Sequence, residues 1–219
     1  MCGINSKLIR YFTDLFVFQQ RPGKRESAGF CGLRNLGNTC FMNSVIQSLS
    51  NTRPLLEYIL SGDYREELNT TTSSCKGALM TAFADLILNM WDGTSTTASP
   101  SQFKSAISKF APRFSGYNQQ DSQEFLRYLL QGLQEDVNRI RQRVKITPID
   151  ERALLKLPVD QQADVYWKQY QKFEKSKIVE IFVGQLKSTL KCQACGYESI
   201  TFDPFWDLSL PVSKGYVSN

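Results

Sequence analysis

Four successive stretches between residues 40 and 140 repeat their apolar side chains every three or four positions, and only beyond residue 184 does the repeat shorten to two. Phe41, Met42, Val45, Ile46 and Leu49 make the first stripe, and Leu79, Phe83, Leu86, Ile87 and Met90 the second. Phe103, Ile107 and Phe110 make the third; Phe125, Leu129, Leu130, Leu133, Val137 and Ile140 make the fourth. Helices carrying such stripes bury them against one another. Alternation from Gln185 to Cys192, and again from Tyr197 to Phe202, predicts two strands instead. Helices followed by strands give an α+β chain, with a helical unit over 30–140 and a β unit from 178.

Punctuation sets the remaining boundaries. Pro54 is placed to open a short helix through Leu60, and the polar, turn-rich residues 61–74 read as loop. Ser99-Pro100-Ser101-Gln102 combines a proline at the first helical position with a capping-box pattern. Residues 141–177 are charged and interrupted by Pro148 and Pro158, which marks a variable insertion with a helix between Asp160 and Lys175. Trp167, Tyr170 and Phe173 are spaced to dock that helix on the domain. In the leader, residues 1–29, Ile4, Leu8, Phe12, Leu15 and Phe16 share one helical face ahead of a linker over 19–29. Lys7, Arg10 and Asp14 leave that helix too short and charged to cross a bilayer; it is either a docking element for its own domain, a partner or a membrane surface, or a variable leader with no fixed role.

With 219 residues, 42% hydrophobic and 21% charged, the chain supports one domain with a real core or two small ones, and is no disordered tail. A net charge of +5, with Lys and Arg scattered outside 139–145 and 168–177, argues against nucleic acid as the partner. Six cysteines without framework spacing, and no signal peptide or apolar run of membrane length, point to a reducing compartment, cytoplasmic or nuclear.

Chemistry concentrates in three places. Residues 32–49 read G-L-R-N-L-G-N-T-C-F-M-N-S-V-I-Q-S-L. Gly32 and Gly37 mark a tight loop, Asn38 or Thr39 is placed to cap the helix, and Cys40 falls in its first turn at the positive end of the dipole. There an anionic sulfur is favoured, which makes Cys40 a candidate nucleophile; the other reading is a buried, inert cysteine. Asn35 carries an amide that can donate to a developing oxyanion.

The second place is Gly116-Tyr-Asn-Gln-Gln-Asp-Ser-Gln-Glu-Phe-Leu126, where Asp121 and Glu124 stand in capping-box register. The third is Cys192-Gln-Ala-Cys195-Gly196, a knuckle-like turn between the two strands. Two thiolates on such a turn grip one side of a tetrahedral zinc, which normally takes four protein ligands; no second pair follows.

Residues 32–43 resemble the cysteine box of the ubiquitin-specific proteases, papain-like thiol hydrolases that cut after the C-terminal glycine of ubiquitin, and Y-N-Q-Q-D-S-Q-E-F-L resembles the box that follows it. The resemblance runs from about Gly29 to Val212, weakest between Arg141 and Lys177, and includes F-V-G-Q-L-K-S and F-D-P-F-W-D-L-S-L-P-V. It implies Cys40 as nucleophile, Asn35 as oxyanion-hole donor, and Asp121 and Glu124 as the carboxylates that hold ubiquitin's arginine-bearing tail, with Gln119 and Gln120 nearby. It also implies a helical thumb over 30–140 and the first part of a β fingers subdomain over 178–219. Cys192 and Cys195 would be half of a zinc site. No cofactor for catalysis is implied, and ubiquitin with its conjugates is the implied partner.

One count departs from that family: the chain has no histidine. A papain-type thiol needs an imidazole to take its proton and return it to the leaving amine. The expectation is a truncated catalytic domain, with the palm and its histidine box absent and negligible turnover on its own. A non-catalytic short form that binds ubiquitin or competes for partners is the alternative. Phe182, Phe202, Phe205 and Trp206 are expected to be exposed for want of sheet neighbours.

Overall fold

A computed structural model describes residues 28–142, 144–145 and 148–210. The leader helix over 4–18 and nearly all of its linker lie outside them. The stripes fold as helices, except that Val137 and Ile140 lie beyond the end of theirs: α1 (Cys40–Ser50), α2 (Arg53–Ser61), the single turn α3 (Tyr64–Glu67), α4 (Ala78–Trp91), α5 (Ser101–Phe110) and α6 (Ser122–Asp136), with a 3-10 turn at Pro112–Phe114. Their apolar faces meet in one core, at whose centre Phe125 lies edge-on to Phe41, Phe114 and Phe103, with ring centroids 5.4, 5.2 and 6.5 Å away. Gly132 lies inside α6, where glycine costs roughly 1 kcal/mol against alanine. Packing requires it: a Cβ there would stand 2.5 Å from Leu79 Cδ2 and 3.0 Å from Phe110.

Two features of the helical unit are not visible as periodicity. Residues 61–74 are no simple loop, since they contain α3 and are pinned by the fully buried Asp136. Its carboxylate accepts the Ser73 hydroxyl and the backbone NH groups of Gly77 (3.0 Å) and Met80 (2.9 Å), at the start of α4. The second is a parallel pair of two-residue strands, β1 (Gly32–Leu33) and β2 (Thr97–Ala98), both in stretches that read as loops. Gln47 Nε2 donates to Cys31 O at 2.9 Å, tying β1 to α1. The capping box at Ser99 does not form: Pro100 is the cap residue and no side chain caps α5.

Beyond α6 come α7 (Glu151–Leu154), α8 (Val159–Tyr170), α9 (Lys177–Phe182) and an antiparallel hairpin of β3 (Gly184–Lys191) and β4 (Glu198–Phe205), in register from Gly184↔Phe205 to Lys191↔Glu198. The four aromatics expected to be exposed are not. Phe202 is buried beneath Tyr166 of α8, with ring centroids 5.7 Å apart. The Phe205 ring covers Gly184, while Phe182 and Trp206 pack half-buried on the helical core. The insertion thus supplies the missing cover. It docks through Tyr166 and through Gln185 Nε2, which donates to Ala163 O at 3.1 Å; Trp167 and Tyr170 lie against each other.

Candidate active site

The turn ahead of α1 is built around one amide. Asn35 Oδ1 accepts from Gly37 N (3.0 Å), Thr39 N (3.1 Å) and Thr39 Oγ1 (3.1 Å). Three donors on Oδ1 fix the orientation of the group, because only the oxygen accepts, and they set Nδ2 on the opposite side. Thr39 Oγ1 also accepts from Leu36 N at 3.0 Å, so its hydroxyl serves the turn and neither it nor Asn38 caps α1. Thr39 is buried and Cys40 exposed. The first helical hydrogen bond runs from Asn43 N to Thr39 O at 3.0 Å, so the NH groups of Cys40, Phe41 and Met42 precede the ladder and carry the positive end of the dipole.

Burial sorts the cysteines. Desolvation raises the Cys31 and Cys75 thiols above their ordinary pKa, helped by the charges of Asp92 and Asp136 respectively. Cys40, Cys192 and Cys195 are exposed.

At the second segment, Asp121 caps α6 by accepting Glu124 N at 2.9 Å. The Glu124 carboxylate does not return to complete the box but pairs with Arg113, whose guanidinium also lies 5.6 Å from the Phe114 ring centroid. Arg113 O accepts Gln120 Nε2 at 3.3 Å, and Gln119 is exposed. The two boxes meet at Tyr117: Asn38 Nδ2 donates to Tyr117 O at 2.8 Å, and a Cβ on Gly37 would stand 3.0 Å from the Tyr117 ring. Arg113 and Tyr117 escape the sequence reading, and Asn38, read there as a candidate cap, instead bonds Tyr117 O.

Cys192 and Cys195 stand apart on the hairpin. Cys192 N donates to Tyr197 O (2.8 Å), Gly196 N donates to Cys192 O (2.9 Å), and Gly196 takes φ 75° to close the turn. Hydrogen bonds from the Cys195 backbone, the Cys195 side chain and the Ala194 backbone lower the Cys192 pKa below its ordinary value. Such a thiolate suits a metal, but among the described residues no group of three or more His, Cys, Asp or Glu is placed to hold one. Among the same residues no helix is long and apolar enough to cross a membrane.

The fold matches a solved complex described as the SAGA Ubp8/Sgf11/Sus1/Sgf73 DUB module bound to ubiquitin aldehyde, with a TM-score of 0.59 and 22% identity over 95% of this chain and 41% of that one. Mixed helices and short strands in this arrangement are part of a ubiquitin-specific protease catalytic domain. The family model for ubiquitin carboxyl-terminal hydrolase matches residues 31–207, and the chain belongs to that family. Rat ubiquitin carboxyl-terminal hydrolase 2 is 52% identical over 194 residues, 88% of this chain. The putative ubiquitin carboxyl-terminal hydrolase 11 of Arabidopsis thaliana is 47% identical over 191 residues, 87% of this chain. The chain spans 31% and 21% of the length of these two relatives.

Proposed function

We propose that this chain supplies the nucleophile and the tail-binding site of a deubiquitinase that hydrolyses the bond after ubiquitin's C-terminal glycine. Cys40 Sγ, as thiolate, attacks the glycine carbonyl carbon, and the electron pair of the C=O bond moves to oxygen. Asn35 Nδ2 and the Cys40 NH donate to that oxyanion. Collapse expels the amine, which must take up a proton, and leaves a thioester that water cleaves. The observation that carries this reading is the three-donor grip on Asn35 Oδ1 beside an exposed helix-terminal thiol.

Asp121 and Glu124 receive the tail's guanidinium groups, since charge-assisted bonds of that kind are roughly twice as strong as neutral ones. Gln119 and Gln120 line the same channel. Cys192 and Cys195 would hold one side of a structural zinc, which contributes folding energy and no step of the reaction. Exposed thiols of this kind fit a reducing compartment, cytoplasmic or nuclear.

These 219 residues contain no imidazole. A positioned acid/base contributes about 10²–10⁴ in rate, so a histidine beyond them is needed for turnover. The same absence favours a second reading, capture of ubiquitin without hydrolysis. Ubiquitin carrying a C-terminal electrophile tests the site: the expected result is one adduct at Cys40, lost in Cys40→Ala and slowed in Asp121→Asn. Iodoacetamide labelling of Cys40 without any ubiquitin adduct would overturn the proposal. Release of an amine from a ubiquitin amide by the chain alone would overturn the need for an outside base.

A further inference from the structure

The turn that presents Cys40 and the loop that leads into Asp121 are locked together at Tyr117. Asn38, two residues ahead of Cys40, has φ 52°, a left-handed conformation that asparagine tolerates better than most side chains. From there its Nδ2 reaches across the chain to Tyr117 O at 2.8 Å. Gly37, at φ 103°, brings its backbone against the Tyr117 ring, where a Cβ would stand 3.0 Å away. Lys104 of α5 holds Tyr117 and its neighbour Gly116, with Nζ 4.5 Å from the Tyr117 ring centroid and 3.2 Å from Gly116 O. Beyond Tyr117 the loop runs to Gln120, held by Arg113 O, and to Asp121, the cap of α6.

The side chain of Asn38 caps nothing on its own helix. Instead its amide ties the nucleophile's turn to the carboxylate-bearing loop. We propose that Asn38 is a positioning residue that couples engagement of an arginine-bearing tail at Asp121 and Glu124 to the alignment of Cys40 for attack. This rests on the tail-binding reading given above. A tail bound at residue 121 restrains the loop, and Asn38 passes that restraint to the turn two residues before the thiol. Asn38 itself touches neither the tail nor the reacting carbonyl.

Saturation kinetics with a ubiquitin electrophile on the full 219-residue chain separate the steps. Asn38→Gly keeps the left-handed backbone and deletes the bond. Asn38→Asp keeps shape and backbone tolerance but turns a second acceptor toward Tyr117 O. The limiting labelling rate falls about fivefold in Asn38→Gly, the factor expected for one ordinary hydrogen bond, and further in Asn38→Asp. The half-saturating concentration moves by less than about twofold, and in Asn38→Gly, which adds no charge beside the thiol, iodoacetamide alkylation of Cys40 is unchanged, a split that general unfolding does not produce.

Limiting rates equal to wild type in both variants, or a loss carried wholly by the half-saturating concentration, would overturn the coupling while leaving the tail site standing. A wild-type chain that takes iodoacetamide at Cys40 but shows no saturable ubiquitin labelling would sink the tail-binding reading itself, and the coupling with it.

Discussion

Asp136, at the last position of α6, accepts the backbone NH of Met80 in the first turn of α4 at 2.9 Å. One fully buried carboxylate therefore closes the N-terminus of a neighbouring helix and, through Ser73 and Gly77, the segment before it. Asp136→Ala strands two buried NH groups at about 1–3 kcal/mol each, so urea unfolding is expected to show a loss of roughly 3–5 kcal/mol. A loss under about 1 kcal/mol would mean that the segment re-pairs with water.

Gly132→Ala improves helix propensity by about 1 kcal/mol but drives a Cβ toward Leu79 Cδ2. The expected net change is destabilising, by about 1–3 kcal/mol. Leu79→Ala on top of it should cost less than the sum of the two single changes, because the new methyl occupies the vacated space. Strict additivity in a double-mutant cycle would refute the steric account.

Acid should weaken the junction at which Arg139, just beyond α6, pairs with Glu67 of α3 and Glu180 of α9. Burial opposes ionisation of Glu180, but the hydrogen bond and charge of Arg139, with Lys177, outweigh it and hold the Glu180 pKa below 4.5. A depressed carboxylate stabilises the fold above its unfolded pKa and loses that contribution as pH falls through the folded value. Melting temperature between about pH 6 and pH 3 should therefore drop further in wild type than in Arg139→Gln, which also lacks the Arg139–Glu67 bond of 2.7 Å. Parallel curves for the two proteins would exclude this pair as a source of acid sensitivity.

Alkylation in the native state should divide the five cysteines among the described residues in two. Cys192, with its pKa lowered by its knuckle, and exposed Cys40 and Cys195 react first; Cys31 and Cys75 lag, their thiols raised by burial. Peptide mapping after timed iodoacetamide treatment gives the order. Early modification of Cys31, 3% exposed behind β1, would show that β1 opens readily.

Elements carried by repetition are legible in the sequence. The stripes around Phe83 and Phe125 lead directly to α4 and α6, and alternation around Leu190 leads to the hairpin. What escapes depends on partners far away in sequence. Two-residue strands carry no period, so the pairing of Gly32 with Thr97 has no local signature. Phe202 looks stranded until Tyr166 covers it. Asp121 is recognisable as a cap, whereas nothing local to Glu124 announces that Arg113 holds its carboxylate. Asn35 is placed by its motif, but the grip on its Oδ1 appears only once the turn has closed.

The parallel pairing of β1 with β2 has a consequence for synthesis. Gly32 N and Arg34 N bond Thr96 O and Ala98 O at 2.8 and 3.0 Å, and between the two strands lie α1 to α4. On the ribosome the cysteine and its turn emerge long before their β partner. The strand leading to that turn finds its partner only after the chain through residue 98 has emerged, whereas the bonds that close the turn around Asn35 are all local and can form first.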